Sequence, residues 1–137
     1  HVKKLRQKVI DGISATADVH LTGHPEDRLP GHASFCVAFI EGEAMLLLLS
    51  AKGILAASGS ACSSKALKAS PVLLSMGIPS SLAQGSIVFT FGKDNSEEDT
   101  DHLLNEFPQV IKRLREISPY GKGWGIEGEG GECIVQK

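Results

Sequence analysis

Apolar residues recur at Val2, Leu5, Val9, Ile10 and Ile13, at helical spacing, with Lys3, Lys4, Arg6 and Lys8 between them. The pattern predicts an amphipathic helix with a basic, solvated face, ending near Gly12 or Ser14 and needing a surface to dock on. Residues 18–22 alternate Val19 and Leu21 with polar positions, the mark of a short half-buried strand. Pro25 and Pro30 break the stretch 23–31 into an ordinary connecting loop. Alternation returns over 33–40, with Phe35, Val37 and Phe39 on one face and Ser34, Cys36 and Ala38 on the other. A strand with one heavy apolar face is predicted there.

Glu41 and Glu43, then the apolar run 44–49, Lys52 and Gly53 read as a helix whose charges suit its dipole and whose stop is Gly53. Because 45–49 is apolar on nearly every side, this helix is expected to be buried between a sheet and another layer. Residues 54–57 predict a short strand. The stretch 65–76, broken by Pro71, predicts one or two helical turns closed by Gly77. Residues 85–92 alternate Ile87, Phe89 and Phe91 with Ser86, Val88 and Thr90, another strand. Ser96 followed by Glu97, Glu98 and Asp99 is a capping-box-like start. It opens a helix carried by Leu103, Leu104, Phe107, Val110, Ile111, Leu114 and Ile117, with Pro108 expected to kink it. The fold class is α+β: a two-layer domain with a mostly antiparallel sheet and helices packed on one face. It covers 1–118, and 119–137, with six glycines before Cys133, is expected to be a flexible tail.

Composition narrows the function. At 137 residues, 42% hydrophobic and 22% charged, the chain suits one globular domain. A net charge of -2 gives no electrostatic case for nucleic acid. No apolar run is long enough to cross a membrane. A chain that opens on His1 is expected to have lost its native start. Three cysteines at irregular spacing argue against a disulfide framework and for a cytoplasmic protein. His20 and His24 are read as loop histidines because Gly23 and Pro25 interrupt them, and no metal is assigned. Cys36 has no charged neighbour to lower its pKa and is read as a packed thiol.

The remaining chemistry lies in 56–64, Ala-Ala-Ser-Gly-Ser-Ala-Cys-Ser-Ser, where Cys62 stands among small residues. A P-loop reading fails, since no second glycine precedes Lys65 and Ala66 follows it. A thiol on a Ser/Gly-rich loop is a candidate nucleophile, and local composition leaves that reading level with an incidental exposed cysteine.

The wider order of motifs changes the balance. Arg28-Leu29-Pro30-Gly31, Glu41-Gly42-Glu43-Ala44, Ser58-Gly59-Ser60-Ala61-Cys62-Ser63-Ser64, Ser70-Pro71-Val72-Leu73, Gly77 and Gly85-Ser86-Ile87 follow one another. This order resembles the carboxy-terminal small domain of the NifS/IscS-like cysteine desulfurases, fold-type-I enzymes of the class-V aminotransferase family. The resemblance implies that the whole enzyme uses pyridoxal phosphate to remove sulfur from L-cysteine, leaving alanine, and holds that sulfur as a persulfide. Cys62 matches the family's catalytic cysteine. The cofactor is expected on a large domain that nothing here resembles, so turnover would need that domain.

The implied partners are the large domain, a sulfur acceptor such as an iron–sulfur scaffold protein, and a second subunit, the family being homodimeric. One departure stands out: the family usually carries Ser-Ile-Arg, its arginine gripping the substrate carboxylate, where this chain reads Ser86-Ile87-Val88. Lys93 lies beyond that strand as a basic residue without an assigned role. Val88 favours the alternative of a stand-alone persulfide carrier, and a scaffold-binding module is the third reading.

Overall fold

The computed structural model describes residues 1–59 and 69–118. Among them run α1 (Val2–Ser14), β1 (Val19–Leu21), β2 (His32–Val37), α2 (Gly42–Ala51), α3 (Pro71–Ser75), α4 (Ser80–Ala83), β3 (Ser86–Thr90) and α5 (Glu97–Ile117). The strands form an antiparallel sheet in the order β1-β2-β3. Leu21 pairs with Phe35 and Phe35 with Ile87, while Ser34 pairs with Val88 and Cys36 with Ser86. Paired residues share a face, so Phe35 and Ile87 lie on one side and Ser34, Cys36, Ser86 and Val88 on the other.

The first face is the core. Val9 and Ile13 of α1, Met45 and Leu49 of α2, and Phe107 and Ile111 of α5 close over Phe35, Val37, Ile87 and Phe89. Phe89 packs edge-on between Phe35 and Phe107, with centroids at 6.4 and 6.1 Å, a favoured aromatic geometry. These long helices thus occupy the layer expected of them. The short α3 and α4 reach the opposite face, where Leu73 and Ala83 cluster with Cys36.

Local signals explain most element ends. Ser96 Oγ accepts the Asp99 N–H and the Asp99 carboxylate accepts the Ser96 N–H, completing the capping box. The helix then continues through Pro108 to Ile117. Gly53 and Gly77 adopt φ of +78° and +81° just beyond α2 and α3, the left-handed stop glycine allows. Pro71 occupies the first turn of α3, where its missing N–H leaves no helical bond unmade, and residues 65–68 of the expected helical stretch lie outside the described residues.

Four readings are corrected. The second strand stops at Val37, because the chain turns with Phe39 at φ +67° to present Glu41 as the cap of α2. Phe39 therefore leaves the core face, and its carbonyl accepts the Ser118 hydroxyl at 2.8 Å. The second face of β2 is buried as well, in keeping with the packed-thiol reading of Cys36. Helix α2 is not covered on all sides: Met45 and Leu49 lie against the core while Leu47 is 72% exposed. Residues 54–57 contribute a bridge between Ala57 and Val88 rather than a full strand. Finally, Arg6 is not on the solvated face; it is 2% exposed. It shares the stripe of Val2, Val9 and Ile13, at i, i+4, i+7 and i+11. α4 carried no periodic signal, being one turn long.

Candidate functional site

Arg6 and Arg28 make the loop 23–31 more than a connector. The Arg6 guanidinium donates to the carbonyls of Arg28 and Leu29, at 3.5 and 3.3 Å, fixing the Arg-Leu-Pro-Gly segment to α1. Arg28 donates from Nη2 to the Thr22 carbonyl at 2.8 Å and from Nε to the His24 carbonyl at 2.7 Å. Burial, and then the charge of Arg6, lower the Arg28 pKa from its ordinary value, yet an arginine stays protonated at neutral pH. His24 serves the same loop, its Nδ1 accepting the N–H groups of Glu26 and Asp27. His20 pairs with Cys36 across β1 and β2 instead.

The anchored loop delivers Thr22 to the edge of the sheet's second face. Thr22 Oγ1 donates to Ser34 Oγ at 2.6 Å in a buried contact. Next across the sheet comes Val88, half-buried and paired with Ser34 on one side and bridged to Ala57 on the other. A row of hydroxyls thus ends on an apolar side chain, at the position where the resemblance implies a guanidinium. A valine cannot donate to a carboxylate. Lys93 lies beyond β3, 89% exposed and 3.9 Å from Asp94, on the surface rather than among these hydroxyls.

Cys36, on the same face, is fully buried among Ala69, Leu73 and Ala83. Burial pushes its thiol up to about 12, so at neutral pH it carries its proton and is no nucleophile. The packed-thiol reading of the sequence is therefore matched by its surroundings. Cys62 and Cys133, like the tail 119–137, lie outside the described residues. What is described is the base from which Cys62 is hung. Ala57 exchanges both backbone hydrogen bonds with Val88, at 3.0 and 2.7 Å, and Gly59 N–H donates to Ser86 Oγ at 3.1 Å. Small residues crowd this base: a Cβ on Gly42 would meet the Ser86 carbonyl at 2.6 Å and the Ser58 Cβ at 3.3 Å.

The described residues do not fit pyridoxal phosphate. A Schiff base needs a lysine amine inside a site, and Lys3, Lys4, Lys52, Lys93 and Lys112 are exposed. Lys8 is half-buried and pairs with Asp101 at 2.7 Å on the helical side of the molecule. Sequence reasoning missed Arg6, Arg28 and Ser86 as site-building residues. Arg6's place on the apolar stripe was the available signal; the others depend on contacts between distant segments.

Comparison with known proteins bears on the whole arrangement. The family model described as Aminotransferase class-V matches residues 1–103. Cysteine desulfurase IscS of Methanosarcina thermophila is 42% identical over 116 residues, 85% of this chain and 29% of that protein. Cysteine desulfurase NifS of Azotobacter vinelandii is 42% identical over 135 residues, 98% of this chain and 34% of the relative. A solved NifS-like protein superposes with a TM-score of 0.70 at 29% identity, over 83% of this chain and 28% of that one. A putative sugar aminotransferase from Streptococcus pneumoniae, with a TM-score of 0.53 at 15% identity, shares the fold. Members of the matched family use pyridoxal phosphate. The chain spans about 30% of the length of the cysteine desulfurases it matches. With the motifs, the sheet and the family model in agreement over most of its length, the chain belongs to the class-V aminotransferase family.

Proposed function

We propose that this chain is the small-domain part of a cysteine desulfurase, covering 1–118, and that Cys62 is the thiol that receives sulfur. The observation that carries the reading is the 42% identity to cysteine desulfurases across a stretch that contains Ser58-Gly59-Ser60-Ala61-Cys62. The geometry supports it by elimination at one position, since Cys36 is buried and protonated.

The overall reaction balances without an external oxidant. L-Cysteine loses its sulfur as its C–S bond breaks, an S–S bond forms at Cys62 Sγ, and the carbon left behind takes up the proton and electron pair to become alanine. Pyridoxal phosphate supplies the electron sink when bound, and its site belongs outside the described residues. The persulfide then passes to an acceptor such as an iron–sulfur scaffold protein, in a cytoplasmic enzyme expected to be a homodimer.

The test is turnover by the complete enzyme with Cys62→Ser. Alanine and sulfide formation is expected to fall to background, with pyridoxal phosphate still bound. Undiminished turnover would remove Cys62 from the reaction. Val88 favours a second reading, in which the chain carries persulfide made by another protein. A Cys62 persulfide that appears only when a separate desulfurase is supplied would select it.

A further inference from the structure

The chain that leads into the segment bearing Cys62 is tied to one buried hydroxyl. Gly59 is the last described residue before that segment and Ala69 the first after it. Gly59 N–H donates to Ser86 Oγ at 3.1 Å. A Cβ built on Gly59 would lie 3.0 Å from Ser86 Oγ and 3.3 Å from the Ser70 Cβ, so there is little room for a side chain at this point. Ser86 is 1% exposed and Ser70 7%.

Ser86 is itself held from several sides. Its backbone pairs with Cys36 on β2. Gly42, at the start of α2, packs closely on its carbonyl and hydrogen-bonds to the Gln84 carbonyl at 2.9 Å. Gly85 sits so close to the Val37 carbonyl that a side chain there would collide with it. The hydroxyl therefore projects from a rigid strand start, fixed by β2 and α2, toward the neck of the segment. A net hydrogen bond at such a neck matters because reacting atoms must meet within a few tenths of an ångström.

We propose that Ser86 is a positioning residue for sulfur transfer, pinning the chain that leads into the Cys62 segment through the Gly59 N–H. The inference rests on the assignment of Cys62 as the sulfur-receiving thiol. The role proposed for Ser86 is to fix the base from which the thiol is presented, not to touch sulfur or cofactor. A side chain at 59 would crowd Ser86 Oγ and the Ser70 Cβ, so glycine suits this point for its lack of a side chain and not for its φ.

The complete holoenzyme tests this with Ser86→Ala, Gly59→Ala, the double variant and Cys62→Ser. Persulfide formation is followed in a single turnover, beside the KM for L-cysteine and the absorbance of bound pyridoxal phosphate. Ser86→Ala is expected to slow persulfide formation about five-fold, the order a net hydrogen bond supplies, with KM and absorbance unchanged. Gly59→Ala should slow it further. The double variant should be no slower than Gly59→Ala, because removing the hydroxyl also removes the 3.0 Å contact.

A wild-type persulfide rate in Ser86→Ala overturns the proposal, as do strictly additive effects in the double variant. Should Ser86→Ala also lose cofactor, the additivity of the double variant still decides. Wild-type turnover by Cys62→Ser would instead overturn the assignment of the thiol. Loss of turnover there beside an unaffected Ser86→Ala leaves that assignment standing and removes only the role of Ser86.

Discussion

Phe35 and Cys36 are neighbours in sequence and opposites in the fold. Phe35 enters a core closed by α1, α2 and α5, whereas Cys36 enters a small cluster under α3 and α4, on the face that also carries Ser34, Ser86 and Val88. Both are fully buried, so burial does not separate them. The number and kind of partners does. The core face is filled with large side chains and fixes the fold; the other face is filled with small and hydroxyl-bearing ones and leaves the chain close enough to itself to hold the neck of the Cys62 segment.

That contrast is open to direct attack. Phe35→Ala removes a ring from the packed face and should destabilise the protein by about 3–5 kcal/mol in denaturant unfolding. A cost similar to that of a surface substitution would mean that this face is not the stabilising one. Cys36→Ser changes the next residue with little change in volume but sets a hydroxyl among Ala69, Leu73 and Ala83. It should cost about 1–3 kcal/mol, less for Cys36→Ala, and leave sulfur transfer intact. Loss of persulfide formation in a folded Cys36→Ala protein would contradict the assignment of that thiol to packing.

The helix cap is a control away from both faces. Ser96→Ala should cost about 1 kcal/mol. Backbone and side-chain hydrogen bonds from Ser96 and Asn95 hold the exposed Asp99 carboxyl below its ordinary value. The folded state therefore binds that proton less readily than the unfolded one. Its contribution is present above the unfolded carboxylate pKa and is lost as pH falls through the lower folded one. Asp99→Asn should flatten the acid limb of the unfolding curve, and an unchanged limb would show that the carboxylate makes no such contribution.

The core face was readable because period-3.6 and period-2 patterns act locally. Val9, Ile13, Phe107 and Ile111 declare their helices, and Phe35, Ile87 and Phe89 their strands. The end of β2 was not readable, since Phe39 continues the alternation while the chain turns there at φ +67°, with its carbonyl taken up by Ser118 from the far end of α5. Arg6 looked solvated by residue type and proved buried by position. For the site, motif order led to Cys62 and exposed the anomaly of Val88. Ser86 entered only as a member of the motif order: its hydrogen bond from the Gly59 N–H joins segments far apart in sequence, and no periodic pattern encodes such a contact.

The most direct measurement is to give the complete holoenzyme L-cysteine, digest it under conditions that preserve persulfides, and weigh each cysteine-bearing peptide. The account predicts one extra sulfur on the peptide containing Cys62, with the Cys36 and Cys133 peptides unchanged and alanine formed in step. Alanine formation with the extra sulfur on Cys36 or Cys133 in place of Cys62 would contradict it.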